Sequence, residues 1–263
     1  MKYTYQLLNV NIESGVATVY LNRPPMNPFN AQLVYEVQKC GQDLGQDDRV
    51  RAIVITGGEK NFSAGADLKD MQGLTPRDIS KSTHNIQIAF STLENIPKPV
   101  IAAINGYAVG GGCELALCCD FRYAHEKALI GQPEILLGLL PAAGGCLRLS
   151  RLIGPAKAKE MVYTGKIYTA RECFQLGLVQ KVIKSNTSVI EEAQKTARIY
   201  AKGPAVALAM AKTAINRGLE CSINEALILE AHGISLCFAT EDHKIGIQSF
   251  LEKGPGKAKF LGK

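Results

Sequence analysis

Val100-Ile101-Ala102-Ala103-Ile104-Asn105-Gly106-Tyr107-Ala108-Val109-Gly110-Gly111-Gly112-Cys113-Glu114-Leu115-Ala116-Leu117 holds the pattern that decides the fold. Five apolar residues follow Pro97 and Pro99 and end at Asn105-Gly106, which reads as a buried strand closed by a turn. Three glycines then lead into a short apolar helix around Glu114. Strand, glycine turn and helix in this order are the working unit of an α/β sheet.

The same alternation extends upstream. Val16–Leu21 is a β-branched strand ending at the turn Asn22-Arg23-Pro24-Pro25. Asn30 caps a helix with apolar positions at Leu33, Val34, Val37, Cys40 and Leu44. Arg51–Thr56 is a second strand, apolar on both faces, followed by Gly57-Gly58. Ile86, Ala89, Phe90, Leu93 and Ile96 mark a further helix stopped by Pro97. The start, Met1 to Gln6, reads as a first strand and not as a signal peptide, since polarity returns at Asn9 and Asn11.

Downstream the chain turns helical. Pro155 opens a helix that runs to Gly165, Thr169 caps the next, and Val179–Ile183 is a last strand. From Val189 only helices are expected, with a capping box at Ser222–Glu225 and Thr240 before the first-turn acids Glu241 and Asp242. The expectation is an α/β core over residues 1–203 and a helical region over 204–263, divided near Lys202-Gly203-Pro204.

Composition supports a folded chain outside the membrane. Of 263 residues, 46% are hydrophobic and 21% charged, enough apolar material for a core. No uncharged apolar run reaches the length of a membrane span. The eight cysteines form no Cys-x-x-Cys and have no histidine at ligand spacing, so no zinc site is expected. They read as buried thiols in a reducing, cytoplasmic setting. The net charge of +6 suits an anionic ligand or nucleic acid without choosing between them. The lysines after Phe250 fit either a solvated tail or a phosphate-binding role.

Three glycine-containing segments stand at strand ends, where open α/β sheets place ligands. They are Phe62–Lys69, Asn105–Glu114, and Gly131-Gln132-Pro133-Glu134-Ile135 with Gly138 and Gly144-Gly145. Glycines ahead of a helix expose backbone N–H groups to an anion or oxyanion. Neither nucleotide-loop glycine pattern is present. Glu114 and Glu134 lie in apolar runs, where a carboxylate either pairs with a cation or shifts its pKa. Arg122 and Arg148 are candidate partners for Glu114, and spacing alone leaves that ion pair and an acid–base role both open. Ser63 is not in a nucleophile-elbow pattern, and the four histidines have no recognisable partners.

At these segments, and over nearly its whole length, the chain resembles the enoyl-CoA hydratase/isomerase (crotonase) family, closest to its two-glutamate hydratases. The carrying stretches are Asn22-Arg23-Pro24 with Asn27 and Asn30, Ser63–Lys69, Gly110–Ala116, and Gly131–Ile135 with Gly138, Pro141 and Gly144-Gly145. The resemblance implies a spiral of β-β-α units with a C-terminal helical trimerisation region, as a homotrimer or a dimer of trimers. It implies reversible addition of water to a 2-enoyl-CoA, as in fatty acid β-oxidation. Glu114 and Glu134 would be the acid/base pair, and the N–H groups of Ala66 and Gly111 the oxyanion hole. Substrate contacts would fall to Arg23, Pro25, Met26, Asn27, Ala64, Asp67, Leu68, Lys69, Pro133, Gly138, Phe250 and Lys253. No metal or redox cofactor is implied, because coenzyme A is part of the substrate.

Pro28, Ala142 and Cys146-Leu147 depart from the family pattern. The last two departures lie near the acyl pocket and bear on chain-length preference. The nearest rival is a 3,2-enoyl-CoA isomerase, which needs only one of the two carboxylates. RNA binding, known in one branch of the family, is disfavoured because no aromatic RNA motif or compact basic stripe appears.

Overall fold

A computed structural model describes residues 3–263. In chain order its elements are β1 (Leu8–Glu13), β2 (Val16–Leu21), α1 (Ala31–Gln46), β3 (Ala52–Thr56), α2 (Pro76–Glu94), β4 (Val100–Ile104), β5 (Tyr107–Val109) and α3 (Gly111–Leu117). There follow β6 (Phe121–His125), β7 (Leu129–Gly131), a 3-10 turn at Pro133–Leu137, α4 (Gly145–Ile153), α5 (Pro155–Thr164), β8 (Ile167–Thr169), α6 (Ala170–Gln175) and β9 (Lys181–Ile183). Four helices close the chain: α7 (Val189–Ala201), α8 (Ala205–Gly218), α9 (Ile223–Phe238) and α10 (Glu241–Lys253).

The long sheet runs β1-β2-β3-β4-β6-β9, antiparallel only between β1 and β2. β3 and β4 are buried at every residue, which is why both read as unbroken apolar runs. Ala52, Val54, Ile101 and Ala103 pack toward Val189, Ile190, Ala193 and Ala197 of α7. Ile53, Ile55, Ala102 and Ile104 join the larger core with α1 and α2.

A second, shorter sheet runs β5-β7-β8. Isolated parallel bridges Ser63↔Ala108 and Phe29↔Ala66 prolong it toward the N-terminal half. β4 and β6 are thus each followed by a short strand, and β2 and β3 by isolated bridges, before the next helix, which gives the expected spiral of β-β-α units.

The caps fall where expected. Asn30 accepts from Leu33 N at 2.8 Å, and capping boxes close on Thr169 and Ser222. Three expectations need correction. The first strand starts at Leu8, not within 1–6: Tyr5 uses its hydroxyl on Asp43 of α1 and Tyr3 on Asp47 at that helix's C-cap, and Met1 and Lys2 lie outside the described residues. α2 starts at Pro76, ten residues before Ile86, with a Thr75/Asp78 capping box. Its first half is solvated, so the apolar period shows only where Ala89, Phe90 and Leu93 reach the core, and Ile96 lies past its end. The last strand begins at Lys181, two residues later than its apolar run.

The C-terminal helices touch the rest through specific bonds. Lys212 Nζ pairs with Asp120 at 2.9 Å and donates to the Lys98 carbonyl at 3.1 Å. Arg51 reaches the carbonyls of Gly203 and Leu261. α9 buries only Gly233 and leaves Ile223, Leu227, Ile228, Ile234, Leu236 and Phe238 exposed. Among the described residues no helix is long and apolar enough to cross a membrane.

Phe90 of α2 is fully buried and meets Phe29 edge-to-face, with ring centroids 5.5 Å apart. Phe90→Ala should cost about 3–5 kcal/mol, read as a fall in the urea midpoint at an unchanged m-value. A loss under 1 kcal/mol would show that this contact does not anchor the core.

Candidate active site

The short sheet delivers the candidate residues. Ser63 stands three residues before Ala66, Val109 ends β5 two residues before Gly111, and Gly131 ends β7 three residues before Glu134. The Ser63 hydroxyl donates to the Asn27 carbonyl at 2.7 Å and accepts from Gly65 N at 3.1 Å, which fixes the first segment.

The two segments approach so closely that side chains are excluded between them. A Cβ on Gly65, whose φ is +87°, would lie 2.8 Å from the Val109 carbonyl oxygen and 2.9 Å from Gly111 N. On Gly111 it would stand in ordinary contact, 3.4 Å from Gly65 Cα and 3.6 Å from Ala66 N, so the exclusion acts at Gly65. Phe29 N and Asp67 N take the neighbouring ladder bonds, and Ala64 N donates to Met26. Among the described residues the N–H groups of Ala66 and Gly111 have no hydrogen-bond partner. Ala66 is exposed and Gly111 half-buried, so both can reach a ligand oxygen.

Glu114 lies one turn into α3 and is 3% exposed. Neither candidate arginine bonds it. Arg122 donates to the carbonyls of Ala116, Cys119 and Leu178 and to Gln180, and Arg148 pairs with Glu94 at 2.7 Å. Glu114 Oε1 instead accepts the backbone N–H groups of Ala143 at 2.7 Å and Gly145 at 2.9 Å. Burial pushes its carboxyl up to about 7, with Glu134 adding to the rise and the two N–H bonds and Arg148 opposing it.

Glu134 sits in the 3-10 turn, half-buried, and burial raises its pKa as well. A Cβ on Gly110 would come 2.9 Å from its Oε1, so this carboxylate lies directly over the glycines that open α3. Gln132, fully buried, donates to Glu134 Oε1 and Oε2 at 3.2 and 3.3 Å once its amide nitrogen is assigned to that side. The apolar run after Glu134 is not buried as its composition suggests: Leu136 is 70% exposed, and Ile135 and Leu137 also face outward. The missed partners, Ala143, Gly145 and Gln132, act through backbone or amide groups. Only the Gly131–Ile135 and Gly144-Gly145 motifs hinted at them.

The entry loop adjoins this centre. Arg23 pairs with Asp67 at 2.7 Å and donates to the Pro28 carbonyl. The Asn27 amide donates to Gly57, Asn61 and Phe62 carbonyls and its oxygen accepts Arg23 N, so the side chain is fully used in holding the loop. Pro25, Leu68 and Lys69 are exposed, Met26, Ala64 and Pro133 half-buried, and Gly138 is a left-handed cap closing the 3-10 turn. Phe250 and Lys253 stand exposed on α10, which packs on α9, and no bond joins them to the centre among the described residues. A polar cleft of about 490 Å³ at the ends of β3, β4, β6 and β9 contains none of these residues. Among the described residues no group of three or more His, Cys, Asp or Glu is placed to hold a metal ion.

Two desolvated carboxylates beside a pair of free N–H donors can move two protons on a substrate whose oxygen gains charge. Comparison with known proteins points the same way. The model of the enoyl-CoA hydratase/isomerase family matches residues 11–261. The crotonyl-CoA hydratase of Syntrophomonas wolfei is 42% identical over 261 residues, covering 98% of this chain and 99% of its own. The short-chain-enoyl-CoA hydratase of Clostridium acetobutylicum is 40% identical over 243 residues, 92% of this chain and 93% of its own. The crystal structure of an enoyl-CoA hydratase from Bacillus anthracis superposes with a TM-score of 0.92 at 36% identity, over 98% of this chain and all of that one.

The raised pKa of Glu114 has a stability consequence. The folded state holds this proton up to about pH 7, whereas an unfolded glutamic acid releases it near 4.5. The protonated group therefore favours folding below about pH 4.5, and the advantage is lost as pH rises through 7. Glu114→Gln, which can still accept both N–H bonds, should gain roughly 3 kcal/mol over wild type at pH 8 and almost nothing at pH 4.5. Paired urea titrations at the two pH values test this, and an equal effect at both would refute the desolvated carboxyl.

Proposed function

The chain belongs to the enoyl-CoA hydratase/isomerase family, and from that premise we propose an enoyl-CoA hydratase that works through Glu114 and Glu134. It adds water reversibly to a 2-enoyl-CoA, giving the 3-hydroxyacyl-CoA. The observation that carries this reading is the pair of desolvated carboxylates beside two unpartnered N–H groups.

The thioester oxygen accepts from Ala66 N and Gly111 N, which stabilise the charge that develops there as the double bond is attacked. Ionised Glu114 removes a proton from water, the water oxygen bonds to C3, and protonated Glu134 supplies a proton to C2. Solvent then restores both protonation states. A base near pH 7 is half ionised under neutral conditions, which suits this task. No step calls for a metal or redox cofactor.

The coenzyme end lies along the entry loop. Arg23, Pro25 and Met26 line it with Ala64, Asp67, Leu68 and Lys69, Asn27 holds the loop in shape, and Phe250 and Lys253 supply contacts from α10. Pro133 and Gly138 bracket Glu134 and shape the acyl side. The region 204–263 is an oligomerisation region whose exposed apolar side chains are covered in a homotrimer or a dimer of trimers. The enzyme works in the cytoplasm, in fatty acid β-oxidation. Light scattering should therefore give a mass three or six times that of the chain.

Glu114→Gln and Glu134→Gln should each lower kcat by about 10²–10⁴, and the double change far less than the product, because both groups serve one transition state. Run in D₂O, the reaction should place deuterium at C2 of the hydroxyacyl product. Normal hydration by Glu114→Gln, combined with loss of a 3-enoyl to 2-enoyl shift in Glu134→Gln, would make the chain an isomerase.

Lys69→Ala should raise KM for a CoA ester several-fold with little change in kcat, and barely affect a pantetheine thioester. Equal losses on the two substrates would remove Lys69 from the phosphate contacts.

A further inference from the structure

We propose that Arg148 is a positioning residue for the reaction: it clamps the turn at Ala142–Gly145 onto α2 and so holds the two N–H groups that orient Glu114. The inference rests on the role given to Glu114 above.

Ala143 is gripped on both sides of its backbone. Its N–H donates to Glu114 Oε1 at 2.7 Å, and its carbonyl accepts Arg148 Nη1 at 3.0 Å. The same guanidinium reaches α2 through Nε and Nη2, which meet Glu94 Oε2 at 3.0 and 2.7 Å, and Nη2 meets Ser91 Oγ at 3.1 Å. Arg148 N donates to the Gly144 carbonyl at 2.8 Å, and Gly144 has a φ of +103°. A Cβ there would collide with the guanidinium, so the arginine packs flat against the turn. One other side chain pins the turn to α2: Gln87, which donates to the Ala142 carbonyl at 2.8 Å.

Lysine cannot reproduce this. A planar fork serves a carbonyl, a hydroxyl and a carboxylate in fixed directions, whereas an ammonium is a point charge on a flexible stem. Arg148 is half-buried and its ion-paired side chain is only 14% exposed, so the fork is held against the turn.

The charges around Glu114 make the effect readable. Cys113, Cys118 and Cys146 face it, and burial raises each thiol, which keeps them neutral. Arg122 bonds the carbonyls at the far end of α3. Glu134 opposes ionisation of Glu114, and Arg148 with the two N–H bonds favours it. A loosened turn weakens those bonds, so Glu114 holds its proton to higher pH.

The test uses Arg148→Met and Arg148→Lys in the full-length enzyme. The acidic limb of log(kcat/KM) against pH, with crotonyl-CoA as substrate, should move up on the order of one unit in Arg148→Met. The resulting loss of about fivefold at pH 7 should be recovered above pH 9, with KM within about twofold. Arg148→Lys, which keeps the charge and folds conservatively, should move the limb in the same direction by a smaller amount.

Infrared difference titration reads the same midpoint without catalysis, with the Glu114 carboxyl band identified by its loss in Glu114→Gln. A limb and band that stay in place in both variants would overturn the proposal and leave Arg148 a plain structural ion pair. Full restoration of the midpoint by lysine would overturn it too, since charge alone would then suffice. A wild-type enzyme that hydrates no enoyl-CoA would sink the functional reading instead, while the infrared midpoint still decides the role of Arg148.

Discussion

Backbone pairing in the short sheet is the constraint on which the centre depends. Parallel rungs at Ser63↔Ala108 and between β5 and β7 fix where each segment leaves the ladder. Because strand pairing sets register residue by residue, Ala66, Gly111 and Glu134 emerge at one place although they are far apart in the chain. The glycine contact between Gly65 and Gly111 then brings the first two segments closer than any side chain allows. Among the described residues two N–H groups are left unpaired there while their neighbours are bonded. Such groups cost folding free energy unless a ligand or water meets them, so their persistence marks a site for an oxygen.

Electrostatics in this centre follow from what is withheld. Two arginines lie within reach of α3, and both are committed elsewhere: Arg122 to carbonyls at the end of that helix, Arg148 to Glu94 and Ala143. A direct ion pair would hold Glu114 ionised at all working pH values and make it a weak base. Backbone donors orient the carboxylate without cancelling its desolvation, so its pKa stays near neutrality.

A different logic governs the exposed side chains. Ile135 to Leu140 beyond Glu134, and the outward positions of α9, place many large apolar groups at the surface of the chain. Contiguous patches of that kind mark surfaces meant for contact. The apolar run after Glu134 therefore says little about the surroundings of the carboxylate within the chain. Burial raises its pKa, and its Oε1 lies over Gly110 at the start of α3.

Sequence alone determined what rests on local rules. Apolar period and turn chemistry located the strands Val16–Leu21 and Val100–Ile104, the Asn30, Thr169 and Ser222 caps, and the helical C-terminal third. The apolar runs around Glu114 and Glu134 drew attention to both carboxylates but left an ion pair and an acid–base role open; Ala66 and Gly111 were candidates only through the family resemblance. Periodicity failed where a helix half faces water, as in the first turns of α2, because no core contact imposes a pattern there. Only the tertiary structure decided the partners: that Glu114 takes N–H bonds from Ala143 and Gly145 instead of an arginine, that Asn27 is used up in holding its loop, and that Arg148 grips the turn beside Glu114. These are backbone and long-range contacts, and a backbone N–H is the same group in every residue but proline. No residue type announces which one will be left free or which carboxylate it will meet; that follows from register and close packing.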